Sequence, residues 1–347
     1  MASAEGDCTI SRRATIYEVA KAAGVSPKTV SRVLNDEPFV KDALREKVKA
    51  AAKALHYQPN ITAKGLITRR SYMIGLTYER PSPSYVVELQ RGVLDRLAEE
   101  RYRMIILPFS DVTARRDAFV AFLRAAALDG VVLAPPGSDQ IDVLDQLDAA
   151  GIRYGRIAPQ REAGRGACSL LDDVAAAQEV AEHLLTLGHR RIAVILGDAT
   201  HAASTARSQG YARAFAAHGV ATDSVIVEPG DFTFASGEAA MARILARSDP
   251  RPTAVLAQND DMAVGAMTVA REAGLSIPED LSVVGFDDSD IARIVMPRLT
   301  TVRQPVFDMG RTATDGLLAM LAGEPAPAPV QHGHELLVRQ STAAPRA

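Results

Sequence analysis

"TVSRVLNDEP" runs from Thr29 to Pro38. Val30, Val33 and Leu34 fall on one face of a helix by i, i+3, i+4 spacing. Lys28, Thr29, Ser31, Arg32 and Asn35 are left for the other faces, and no acid lies between Glu18 and Asp36. A short helix so divided packs one face on a protein core and presents the other, basic and polar, to something negatively charged.

The flanking residues place this helix second of three. Thr15-Ile16-Tyr17-Glu18 is a capping box, in which Thr15 caps the amide three residues on and Glu18 reaches back. The helix it starts is expected to run to about Ala22, with Gly24 in "AGVS" as its C-cap. Ser26 then serves as N-cap and Pro27 as the first residue of the second helix. A third helix is expected from Asp42 to Leu55, with Leu44, Val48, Ala51, Ala52 and Leu55 closing a small core. Two short helices about a glycine turn, the second basic, make a helix-turn-helix. A plain helical bundle is the alternative. Small size, charge excess and polar donors at the start of the second helix tell against it, because that end enters the major groove in such motifs.

Charge divides the chain in the same place. From Arg12 to Arg70 thirteen Lys and Arg stand against five Asp and Glu, a net of +8, whereas the rest carries 26 against 37, a net of −11. A basic module on an acidic body suggests that only the first part meets a polyanion. The 347 residues suffice for two or three domains. No apolar run approaches the roughly 18 residues that span a bilayer, and "MASAEGDCTISRRAT" has no apolar signal core. Two cysteines, Cys8 and Cys168, without metal-ligand spacing, fit a reducing, cytoplasmic setting.

"QPNITAKGLITRRS" follows the three helices. Pro59 stops the preceding structure, and Asn60 is placed to cap a short helix reaching about Leu66. Alone it is too short to persist in water, and Gly65 weakens it by roughly 1 kcal/mol relative to Ala.

From Tyr72 onward short apolar runs ("YMIGLTY", "MIILP", "GVVLA", "RIAVILG", "TAVLAQ", "LSVVGF") alternate with helical patterns ("YVVELQRGVLDRLAEER", "DDVAAAQEVAEHLLTLG", "DDMAVGAMTVAREAG"). This is the pattern of parallel sheets with crossover helices. The units are too many for one compact sheet, so two sub-domains are expected. No GxGxxG or GxxxxGK[ST] follows a strand, so neither a dinucleotide nor an ATP site is supported; no cofactor, no metal and no catalytic residue is expected.

The stretch "TIYEVAKAAGVSPKTVSRVLNDEPFVKDALREKVKAAAKALHYQPN" resembles, without a gap, the DNA-binding domain of the lactose-repressor (LacI) family of bacterial transcription regulators. "LGHRRIAVILG", "ARSQGYARAF", "GDFTFASG", "NDDMAVGAM", "SVVGFDDSD" and "RLTTVRQP" follow in the order of that family's effector-binding core, which is similar to periplasmic sugar-binding proteins. The resemblance implies a small all-α helix-turn-helix head and an α/β body of two Rossmann-like lobes. The expected division is a disordered tail at 1–14, a DNA-binding domain at 15–59, a hinge helix or linker at 60–70, and an effector-binding and dimerisation domain at 71–347. Chain crossings between its lobes are expected near residues 170, 300 and 330.

Residue by residue, the resemblance implies base contacts from Pro27, Lys28 and Arg32. Tyr17, Ser26, Thr29, Ser31 and Asn35 would hold phosphates or flank bases. Pro27 has no side-chain donor, so Lys28 and Arg32 carry most of the discrimination, Arg favouring guanine O6/N7. In the hinge Leu66 takes the place of the family's minor-groove wedge, and Lys64, Arg69 and Arg70 are placed to meet phosphates. The implied effector contacts are Tyr85, Arg207, Phe232, Asn259 and Asp287. Arg, Asn and Asp offer paired donors and acceptors for vicinal hydroxyls, and Phe an apolar face for a sugar ring. Each has a plainer reading: Asp287 as a turn acid, Arg207 as a surface charge, Phe232 as core. Around Tyr85, "RPSPSYVV" departs from the family's usual Asn-Pro-aromatic-aromatic run. His189 and Arg190 read as structural residues at a helix–strand junction, and in Asp172-Asp173 capping and binding stand level.

The expected function is a sequence-specific transcriptional regulator, a repressor of a carbohydrate-utilisation operon. It would bind double-stranded, pseudo-palindromic operator DNA as a nucleoid-associated homodimer controlled by a small effector, a sugar. "APRA" at the end lacks a leucine-heptad extension, which points to a dimer rather than a tetramer. The alternatives on the same scaffold are a solute-binding protein, which needs export, and a sugar-acting enzyme, for which the paired acids Asp287 and Asp288 are the nearest sign.

Overall fold

The computed structural model describes residues 14–34, 38, 40–57, 70–79, 82–109, 115–247 and 250–346. They fall into two compact units, one ending at Ser71 and one beginning at Tyr72. The expected tail up to residue 13, the hinge residues Lys64, Leu66 and Arg69, and Asn35 lie outside the described residues.

The first unit holds α1 (Ile16–Ala23), α2 (Pro27–Leu34) and α3 (Asp42–Ala54). The Thr15 amide donates to Glu18 Oε2 at 2.7 Å, and the Glu18 amide donates to Thr15 Oγ1 at 3.4 Å. The capping box is therefore reciprocal. Gly24 ends α1 in the left-handed region, φ 61°, where its missing Cβ removes the usual strain. Ser26 Oγ accepts from the Thr29 amide at 3.1 Å and starts α2. Val19, Ala20, Ala23, Val30, Val33, Val48 and Ala52 form the buried core. Leu55 was expected in it but is exposed, because it lies one residue past the end of α3. Leu44 is half-buried.

The second unit begins with β1 (Met73–Tyr78), α4 (Pro83–Leu97), β2 (Arg103–Pro108), α5 (Arg116–Ala125), β3 (Gly130–Leu133), α6 (Ile141–Ala150), β4 (Arg153–Ile157) and β5 (Ala167–Leu171). Next come α7 (Asp173–Thr186), β6 (Ile192–Leu196), α8 (Ala202–Ala217), β7 (Ile226–Pro229), α9 (Phe234–Arg247), β8 (Ala254–Ala257) and α10 (Asp260–Glu272). It closes with β9 (Ser282–Val284), α11 (Asp290–Ile294), β10 (Thr301–Arg303), α12 (Val306–Ala322), β11 (Val330–His332) and β12 (Glu335–Leu337).

Two parallel sheets result, in the orders β11-β5-β4-β3-β1-β2 and β7-β6-β8-β9. Every residue of β3 and β8 is buried, as continuous apolar strands covered on both faces should be. The chain leaves the first sheet after β5, returns through β10 to α12, which packs on α4 and on β3–β5, and leaves again after β11. There β12 pairs antiparallel with β10. Each β-α-β step places the carboxyl end of a strand at the inner edge of its sheet, where a ligand site forms in open α/β folds.

Six strands match apolar runs visible in the sequence. β4, β5, β7, β10, β11 and β12 do not. β4 reads Arg-Tyr-Gly-Arg-Ile, and its Arg156 is fully buried. The guanidinium donates to the backbone carbonyls of Ser138, Arg161, Glu162 and Arg165. Those bonds offset the cost of burying the charge and fasten the loop after β4. α7 and α8 pack closely: a Cβ on Gly210 would stand 2.3 Å from the Val174 carbonyl oxygen. That approach sets Asp173, at the start of α7, beside Arg207 in α8.

Candidate functional site

Seven strand ends converge on one cavity that opens to solvent. From the first sheet come Ser82 and Tyr85 beyond β1, Pro135 beyond β3 and Ala158 beyond β4. From the second come His201 beyond β6, Phe232 beyond β7, Asn259 beyond β8 and Asp287 beyond β9. Asp173, Arg207 and Gln304 complete the polar lining. Tyr85, Arg207, Phe232, Asn259 and Asp287 thus all face the same space.

Arg207 is buried and fixed. Its Nε donates to Asp173 Oδ1 at 2.9 Å, its Nη1 to the Gln258 carbonyl, and its guanidinium carbon lies 3.7 Å from the centre of the Phe286 ring. A surface arginine is thereby ruled out. Burial pushes the Asp173 carboxyl up, against the pull of Arg207. Its other oxygen accepts from Gln160 Nε2 at 3.0 Å. The two acids of the pair divide their labour, for Asp172 caps α7 through the Ala175 amide at 2.9 Å.

Asn259 is the N-cap of α10: Oδ1 accepts from the Met262 amide at 3.0 Å, and Nδ2 donates to the Phe232 carbonyl at 2.8 Å. One amide hydrogen remains for the cavity. The same bond holds Phe232, whose φ of 68° is uncommon for a bulky residue. Its ring covers Gly197, where a Cβ would stand 2.0 Å from Cζ. Any side chain there would unseat the ring.

Asp287 also has positive φ, 122°. Its amide donates to the Val302 carbonyl at 2.7 Å, and its Oδ1 accepts from Gln304 Nε2 at 2.5 Å. Burial pushes its carboxyl well above the usual range; Arg207 opposes and Asp260 adds to the rise. Asp288 faces elsewhere. Arg293 and Arg303 each donate to its Oδ2 at 2.8 Å, and Arg339 holds Oδ1. Burial would raise it, but these bonds hold it low. The two acids therefore do not form a catalytic pair.

Burial pushes Tyr85 up, helped by the charges of Asp287 and Asp173, so its hydroxyl stays neutral. His201 was not anticipated. Its ring meets Phe232 edge-on, 5.1 Å between centres, and burial lowers it to about 4. Nor were Gln304 and Gln258 anticipated; Gln258 donates to the Ser204 carbonyl and to Ser208, and accepts from the Gly197 amide. The strand-end rule applied to "RIAVILG" would have pointed to 197–201. His189 and Arg190 are structural: His189 bonds Thr253 and Ser282, and Arg190 donates to the Leu185 carbonyl.

On the head, Tyr17, Ser26, Lys28 and Arg32 are exposed, Pro27, Thr29 and Ser31 half-buried. Ser26 and Thr29 share a hydroxyl–hydroxyl bond of 2.9 Å. Lys28, Arg32 and the α2 amino end thus form one basic, donor-rich surface. Among the described residues no helix is long and apolar enough to cross a membrane.

Residues 15–60 match the model of the bacterial regulatory proteins, lacI family, and residues 181–342 that of a periplasmic binding protein-like domain. The HTH-type transcriptional regulator CelR of Thermobifida fusca is 36% identical over 340 residues, 95% of this chain and 98% of its own. DegA of Bacillus subtilis, also an HTH-type transcriptional regulator, is 33% identical over 86% of this chain and 88% of its own. Among solved structures, a CelR–cellobiose complex has TM-score 0.71 and 32% identity over 95% of this chain and 100% of that one. A lac repressor dimer bound to operator and an anti-inducer has TM-score 0.81 and 28% identity over 96% and 100%.

Proposed function

The chain belongs to the LacI family of bacterial regulatory proteins, which are DNA-binding transcriptional regulators and not enzymes, and from that premise we propose that it represses a carbohydrate-utilisation operon in response to a sugar. The reading gives it a DNA-binding head over 15–59, a hinge over 60–70 and a two-lobed effector body over 71–347, with crossings near 170, 300 and 330. It works in the cytoplasm, on the nucleoid, as a homodimer on a pseudo-palindromic operator, since one helix-turn-helix reads only a half-site.

One observation carries the effector half: Tyr85, Arg207, Phe232, Asn259 and Asp287, from five separate segments, line a single cavity. An aromatic face with an arginine, an amide and a carboxyl around it suits a polyhydroxylated ring. A solved relative, the CelR–cellobiose complex, supports the same class. For the head, Lys28 and Arg32 read bases, Tyr17, Ser26, Thr29, Ser31 and Asn35 hold position, and Pro27 adds an apolar contact. Lys64 and Leu66 act from the hinge, which orders when paired on the minor groove.

A thermal-shift screen of sugars and purines tests the reading, because a ligand of the native state raises stability by mass action. A sugar is expected to raise Tm in proportion to the logarithm of its concentration. A purine acting alone would replace the sugar assignment.

A further inference from the structure

The cavity carries an unusual balance of charge. Among the described residues that line it, Arg207 is the sole permanent cation. That cation is already matched by Asp173 at 2.9 Å, and Asp287 faces the same space. An incoming anion therefore finds no unpaired guanidinium in the lining. His201, the other basic residue of the lining, sits with its ring against Phe232, and no described residue hydrogen-bonds its nitrogens or the Tyr85 hydroxyl. The groups left for a ligand are thus a neutral imidazole, with one donor and one acceptor, a phenol and one amide hydrogen.

We propose that the cavity takes a neutral sugar and rejects its phosphorylated and carboxylated counterparts, with His201 setting that choice. The proposal rests on the sugar reading above and narrows it. A phosphate or carboxylate brought in would meet Asp173 and Asp287 without a free cation to pair with, and a buried, unmatched charge is strongly disfavoured. Hydroxyls incur no such cost. They can share the imidazole and the phenol while the ring lies on Phe232.

The test is titration calorimetry on the full chain at pH 7.5 with matched probes: glucose, glucuronate and glucose 6-phosphate; galactose and galacturonate; cellobiose and cellobionate. Wherever a pair binds, the neutral member is expected to bind at least ~10-fold more tightly, about 1.4 kcal/mol. An anionic member binding as tightly or more tightly overturns the proposal and leaves the sugar reading intact. If no probe of either charge binds, the sugar reading falls and the proposal with it.

His201→Arg is expected to cut the preference for the neutral member at least threefold by supplying the missing cation. His201→Gln, which keeps a neutral donor and acceptor, is expected to keep the preference while changing affinity for the neutral probe at least threefold. Unchanged affinity and preference in both variants would remove His201 from the account, and the wild-type pairs would still decide the charge class.

Discussion

Asp173, the first residue of α7, and Arg207, in the middle of α8, meet at 2.9 Å with both side chains buried. The pair is at once the floor of the cavity and part of the core. Arg207 touches the ring of Phe286 and the carbonyl after β8, so its head group is positioned before any ligand arrives.

Removing one member leaves a buried, unpaired charge. Asp173→Ala is expected to destabilise the body by about 3–5 kcal/mol, and Asp173→Asn by less, since an amide oxygen still accepts from Arg207 Nε. Urea denaturation checks both. A loss below about 1 kcal/mol in Asp173→Ala would show that Arg207 is compensated elsewhere.

Asp260 predicts a pH dependence. Its oxygens accept from Thr301 Oγ1 at 2.6 Å and from the Ser289 amide and hydroxyl at 2.7 and 2.9 Å. Burial nevertheless raises it to about 7, with the Asp288 charge adding to the rise. The folded protein therefore holds a proton that the unfolded chain releases near 3.8. The stability this contributes is full below that value and is lost as pH rises through about 7. Stability is expected to fall between about pH 4 and pH 7, and Asp260→Asn to flatten that slope. An equal slope in the variant would assign the dependence to another group.

On the head, Arg32 is exposed and outside the core. Arg32→Ala is expected to leave folding stability within about 0.5 kcal/mol of wild type and to weaken specific binding by roughly 1–3 kcal/mol at one base pair. Random DNA should lose much less. Competition titrations against both check this, and equal losses would make Arg32 a phosphate contact.

Ser26 tests the helix start. Its hydroxyl caps α2, so Ser26→Ala is expected to cost about 1 kcal/mol of head stability besides any phosphate contact. Hydrogen exchange of the α2 amides reads the first effect separately from DNA affinity.

The head was almost wholly legible. Thr15, Glu18, Gly24, Ser26 and Pro27 are local signals whose physics acts within one turn, and each stands where its chemistry requires. The buried parallel strands were legible where apolar residues run together, as in β3 and β8. They were hidden where a strand's charged residue is satisfied by distant carbonyls, as in β4, whose Arg156 bonds segments before and after the strand that meet only on folding. At the cavity, Arg207 and Asp287 were legible from resemblance, but their partners were not. Asp173 and Gln304 meet them across 34 and 17 residues, and His201 became visible only when Phe232 packed against it.

Coupling between cavity and DNA is the central claim, and Asp287→Asn isolates it because the amide keeps the fold while changing what the cavity offers. The most direct measurement is an anisotropy titration of a selected pseudo-palindromic duplex with wild type and Asp287→Asn. Each is run with and without the sugar giving the largest thermal shift. In wild type the sugar is expected to change duplex affinity by about 5–150-fold, a coupling of about 1–3 kcal/mol. Asp287→Asn should bind the duplex normally and lose most of that change. A wild-type affinity indifferent to the sugar, or a variant that responds to it in full, would contradict the account.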